Sequence, residues 1–303
     1  MTDLHLPTGP SELDHSLLQR HRFALVAAEH IERLDSGLPR VRIVPPGMGD
    51  SESLMPLLVN LALLDVRQHA MLLDELQRAH ASLAQPVFSA LLATEADSPR
   101  IEAHLAHAQL RSAVNGRRAW LRLHDPRVWA QLPRILRSSE LRKLFGPVSA
   151  WSICMHGHWI ATVPPPLEAH STAASDAQTP ASIWAALERV GLINRVLSQC
   201  GWLGYEEAVQ HSPRVDALLL RGQQRHGLSS LDDLVDYASL GARVHPCFDA
   251  HPIAIAAVKA ERLDAPSSSG SQEADNSYVV HALRAVPRED WERVRAELDA
   301  SDH

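Results

Sequence analysis

Three groups of histidine and cysteine stand at spacings from which metal ligands can converge. His104 and His107 are three apart in a segment of helical periodicity, His156 and His158 flank Gly157, and His245, Cys247 and His251 cluster near one another. Imidazole and thiolate are preferred donors to zinc, and a zinc-bound water would make such a group hydrolytic. No pair is accompanied by an HExxH, a CxxC or a carboxylate at a fitting offset, and packing is the simpler explanation for His104 and His107. No GxSxG is present, and no cysteine sits in a nucleophile context. Gly47-Met48-Gly49-Asp50-Ser51 has no following lysine and reads as a loop. The expectation is no catalytic residue, no metal and no cofactor.

A second constellation is polar without being catalytic. Arg122, Asp125 and Arg127 surround a strand-to-helix corner in WLRLHDPRVW. Asp125 is placed to cap the next helix, with Pro126 at its first position, where a missing N–H costs no hydrogen bond. Arg127 puts a cation in the first turn, against the helix dipole, and so calls for a carboxylate partner. Arginine forks match carboxylates in two-point contact, so the triad suits either an internal ion pair or a clamp on a partner; the internal pair and cap is the preferred reading. Phe145-Gly146-Pro147 closes a second short helix, Ser139–Phe145, because glycine ends a helix readily and proline blocks its continuation.

The elements around these residues fall into two kinds. Short apolar runs at Phe23–Ala28, Val41–Val44, Leu57–Leu61, Val87–Leu92 and Ala119–Leu123 read as strands. Longer segments at Leu63–Leu83 and Arg100–Arg111 have helical spacing. Their interleaving predicts an α/β domain over residues 21–164 with a mixed, partly parallel sheet, closed by a hairpin turning near Gly157. Residues 1–20 are an N-terminal extension, and residues 165–179, small and polar after Pro164-Pro165-Pro166, are a linker. A smaller all-helical domain over 180–263 follows. Thr179 and Ser230 are its capping residues, and Gly227 ends its Arg214–His226 helix. Residues 264–277 read as a flexible tether, Tyr278–Leu283 as a short strand, and Pro287 as the start of a charged terminal helix.

Composition limits the function further. The formal charge of −7 on 303 residues argues against a general nucleic-acid binder, which needs a basic face. The most apolar run, Leu54–Val66, is interrupted by Pro56, Asn60 and Asp65, so no membrane span is expected. The opening residues lack a basic start and an apolar stretch, and three widely spaced cysteines suit reduced thiols. A cytoplasmic location is expected.

The segment Gly116–Val148 resembles the signature, close to "fRfyDPRvl…lfGPv", of a domain-of-unknown-function family found among bacterial type VI secretion adaptors. The matching residues are Arg122, Leu123, Asp125, Pro126, Arg127, Val128, Phe145, Gly146, Pro147 and Val148. PLLVNL, IEAHLAHAQL and FALVAAEH are similar to other segments of that family, with Ala27 where an aspartate is usual. The resemblance covers roughly Arg22 to Val163, about one ordinary domain. It implies a non-enzymatic adaptor or chaperone that binds a cognate toxic effector and loads it onto a VgrG-type spike. The motif residues Arg122, Asp125, Pro126, Arg127, Phe145, Gly146 and Pro147 are the candidate partner-binding site. A metal-dependent hydrolase using the His245–His251 cluster and a cytosolic immunity protein are the alternatives.

Overall fold

The computed structural model describes residues 11–34, 37–82, 86–113, 116–166, 179–264 and 276–301. The chain divides into two units, Met1–Leu187 and Glu188–His303. The division falls inside helix α6 (Pro180–Gln199), past the expected 165–179 linker, of which residues 167–178 lie outside the described residues.

The first unit is built on a six-stranded sheet of β1 (Phe23–Val26), β2 (Arg40–Arg42), β3 (Leu57–Asn60), β4 (Phe88–Ala93), β7 (Ala150–Met155) and β8 (His158–Thr162), in the order β2-β3-β1-β4-β7-β8. Two short strands, β5 (Leu110–Ser112) and β6 (Arg118–Trp120), pair separately. The α/β arrangement is the one expected, but every described pairing is antiparallel, which corrects the expectation of parallel neighbours. The reason is topological. Helix α2 (Val66–Ser82) joins β3 to β4, which run the same way as in a parallel crossover, and β1 lies between them. All four β1 residues are buried, as a central strand covered on both faces requires. Ala24, Val26, Val59 and Leu91 join one core with Leu72 and Leu76 of α2.

Residues 11–20 are not a loose extension. Asp14 caps a short helix α1 (His15–Gln19), whose Leu17 and Leu18 enter that core, and Ser11 bridges to Trp159 in β8. The hairpin between β7 and β8 turns at His156-Gly157, both with positive φ (49° and 87°), as expected.

The second unit is helical: most of α6, then α7 (Tyr205–His226), α8 (Leu231–Arg243), α9 (Pro252–Asp264), α10 (Tyr278–Ala285) and α11 (Arg288–Ser301). Thr179 caps α6 and Ser230 caps α8 through their side chains, and Gly227 ends α7 in the left-handed conformation. Helix α7 begins at Tyr205, nine residues before the expected Arg214, and carries Pro213 within it. Tyr278–Leu283 is helical, which corrects the expected strand: Val279, Val280, Ala282 and Leu283 are buried on one helical stripe, and tertiary packing overrides the β-branched propensity. Of the expected tether, residues 265–275 lie outside the described residues. Helices α7 and α8 cross closely at two glycines. A Cβ on Gly241 would lie 2.6 Å from Leu218 and 2.7 Å from the Phe248 ring. Among the described residues no helix is long and apolar enough to cross a membrane.

Candidate functional site: the corner from Trp120 to Val148

Beyond β6 the chain turns through two backbone contacts: Leu121 N–H donates to the Gln109 carbonyl (2.7 Å), and Asp125 N–H donates to the Arg122 carbonyl (2.9 Å). Asp125 then caps α4 (Pro126–Ile135), its carboxylate accepting from the Arg127 N–H at 3.0 Å. The same carboxylate accepts a two-point fork from Arg127, Nε at 3.0 Å and Nη2 at 2.9 Å. The Arg127 cation in the first turn thus has the compensating carboxylate that its position demands. Burial of Asp125 raises its pKa, but the hydrogen bonds and charge of Arg127, with the Arg122 charge, more than offset this and hold it below the usual carboxylate range.

Arg122 does not join that ion pair. Its guanidinium lies over the Trp120 ring, 5.6 Å from the centroid, and is exposed. Between them His124 is buried against the same ring, and burial, followed by the Arg122 charge, lowers its pKa to about 4. Its Nδ1 has no hydrogen-bond partner among the described residues. The corner therefore presents one uncommitted cation, Arg122, beside the half-exposed Arg127–Asp125 pair.

The far end of the segment locks into the sheet. Trp129 of α4 stacks on Trp151 of β7 at 4.0 Å, meets Phe145 edge-on at 5.3 Å, and donates from Nε1 to the Thr162 hydroxyl at 2.9 Å. Phe145 is the last residue of α5 (Ser138–Phe145), one residue longer than expected. Gly146 follows at φ 53°, so close to α3 (Ser98–Ala108) that a Cβ would fall 2.2 Å from the His104 ring. His104 donates from Nε2 to the Leu144 carbonyl at 2.8 Å, and the Pro147 carbonyl accepts from Thr94 Oγ1 at 2.7 Å. Pro126 occupies the first position of α4. Of the seven motif residues, Asp125, Pro126, Arg127, Phe145, Gly146 and Pro147 are spent on this architecture, and Arg122 remains accessible.

The histidines considered as metal ligands have other duties. His107 donates to the Ala103 carbonyl at 2.7 Å, and His156 and His158 are exposed at their turn. His245 Nδ1 accepts from Cys247 N–H at 3.1 Å. His251 donates to Glu297 at 2.9 Å and accepts from Ile253 N–H at 3.3 Å, so both of its ring nitrogens are committed. Among the described residues no three His, Cys, Asp or Glu side chains gather as a metal would need. Burial pushes the Cys154 thiol up to about 12, so it is no thiolate nucleophile.

One polar centre has no local signature in the sequence. Asp249, with 1 % of its side chain exposed, accepts from Arg221 and Arg225 at 3.2 Å and from His226 at 2.9 Å, and faces Tyr237. Burial raises its pKa, but these donors hold it below the usual range. Arg221 and Arg225, four apart on one helix face, were the available signal. No family model, curated protein or solved structure matches the chain.

Proposed function

We propose that the chain is a non-enzymatic adaptor of a type VI secretion system: in the bacterial cytoplasm it binds a toxic effector and loads it onto a VgrG-type spike. The observation that carries this reading is the signature segment itself. The residues of the resemblance, from Arg122 to Val148, form one interlocked corner in which Asp125, Arg127 and Gly146 serve architecture, while Arg122 faces outward with the half-exposed Arg127 beside it. That is the economy of a recognition scaffold, in which a rigid base holds a few charged side chains for a partner. No charge relay or nucleophile is needed for such work. Holding and releasing an effector requires only that the affinities for effector and spike differ in the right order.

The test is co-expression of the full chain with the product of a neighbouring toxin gene and, separately, with the neighbouring spike protein. A complex that survives size-exclusion chromatography with the toxin is expected. Failure to associate with either partner counts against the adaptor. An immunity protein is separated from it by mapping: it would hold the toxin's catalytic end and neutralise its activity.

A further inference from the structure

A cleft of about 610 Å³ opens in the helical unit between α8, α10 and α11. Its floor is apolar, with Leu240 of α8, Val280 and Leu283 of α10 and Trp291 of α11. Its rim is basic. Asp236 and Glu292 are the rim's two acids, and each is already paired, with Arg284 and with Arg288 respectively. Arg243 and Arg295 remain as uncompensated cations. Arg243 is exposed and makes no ion pair among the described residues, and Arg295 uses only its Nε, on the Val244 carbonyl at 3.1 Å. Arg214 lies nearby. Burial and then the Arg295 charge lower its pKa, with Asp299 offsetting part of the effect, and its Nε is buried without a hydrogen-bond partner among the described residues.

We propose that this cleft binds an acidic peptide segment of a partner protein, with apolar side chains on the floor and carboxylates against Arg243 and Arg295. Guanidinium forks match carboxylates, and helix-lined clefts with an apolar floor take amphipathic segments through anchors three and four residues apart. The cleft is open along one side, whereas small-molecule pockets enclose about 70–90% of their ligand, so a passing chain fits it better than a small molecule. The local charge runs against that of the whole chain, which is −7 and repels acidic ligands elsewhere. The inference deepens the adaptor reading, on which the segment belongs to the effector.

The experiment titrates dye-labelled synthetic amphipathic peptides into the full chain and follows anisotropy. One peptide carries leucines at i, i+3, i+4 and i+7 with glutamates between them; the other carries lysines in place of the glutamates. The glutamate peptide is expected to bind roughly tenfold or more tightly than the lysine peptide at low salt, and to weaken as salt rises. Arg243→Glu with Arg295→Glu, both at exposed positions, should abolish the preference while the circular dichroism spectrum stays unchanged. Equal affinity for the two peptides, no binding of either, or a preference that survives the double variant would overturn the proposal. These outcomes are independent of effector capture. A chain that retains the effector but ignores the peptide loses the cleft proposal alone, and one that binds the peptide but no effector loses the adaptor reading alone.

Discussion

Acidification should unfold the N-terminal unit through two buried histidines. His21 donates from Nδ1 to the Leu17 carbonyl at 2.7 Å and meets the Ser152 hydroxyl through Nε2 at 2.9 Å; burial above all lowers its pKa to about 4. His124 is held at about 4 by burial and the Arg122 charge. Both residues are 2 % exposed, so solvent screens little of this. In the unfolded chain each takes up its proton near pH 6.5, whereas the folded unit resists until about pH 4. Their stabilising contribution is therefore complete above pH 6.5 and is lost as pH falls from 6.5 to about 4. At about 1.4 kcal/mol per pH unit, each histidine accounts for roughly 3 kcal/mol, and the two together for about 6, comparable with the ~5–15 kcal/mol stability of a domain. Urea denaturation, with pulsed hydrogen exchange reporting on β1 and β7 peptides, measures this directly. The free energy should fall by about 2–3 kcal/mol per pH unit near pH 5, and His21→Gln or His124→Gln should each remove about half of that slope. A flat profile between pH 6.5 and 5, or a slope untouched by both variants, would refute the reasoning.

Three substitutions probe the remaining framework. Gly146→Ala forces a side chain onto a positive φ and into the His104 ring; with the His104–Leu144 hydrogen bond lost as well, it should cost at least about 2 kcal/mol in urea unfolding, and His104→Ala in the same chain should recover part of that. Asp249→Asn leaves Arg221, Arg225 and His226 without their carboxylate, and the helical unit should lose about 3 kcal/mol, at the low end for buried pairs because the two arginines are partly exposed; a loss below about 0.5 kcal/mol contradicts the central role given to Asp249. Gly241→Ala would stabilise an exposed helix by about 1 kcal/mol, yet here it should destabilise by about 1–3 kcal/mol, since the new methyl meets Leu218 and Phe248. A higher melting temperature for Gly241→Ala would show that α7 and α8 part freely.

The local features of the corner were legible because their chemistry is local. Asp125-Pro126-Arg127 states a cap, a first helical residue and a cation needing a partner within three residues, and the structure supplies all three at the predicted atoms. His156-Gly157 between apolar runs likewise announces a two-residue turn. What was not legible depends on distant partners. Strand direction is not legible because β1 slots between β3 and β4, and no periodicity reports that insertion. Tyr278–Leu283 carries two adjacent valines that favour a strand in isolation, and only burial of the α10 stripe makes it helical. The His104–Gly146 contact joins residues 42 apart, so the glycine looked like a helix stop alone and the histidine like a possible ligand. The carboxylate of Asp249 draws its partners from α7, 23 or more residues earlier, and its own neighbours in sequence, Phe248 and Ala250, give no hint of them.

The central claim, that the chain carries an effector to the spike, is tested most directly by reconstitution from purified proteins. The neighbouring spike protein is immobilised, and retention of the neighbouring toxin on it is measured with and without the full-length chain. Retention that requires the chain, and that falls when Arg122→Glu is introduced at its exposed position, is the predicted result. Toxin that binds the spike equally well without the chain, or never binds it in the chain's presence, would contradict the account.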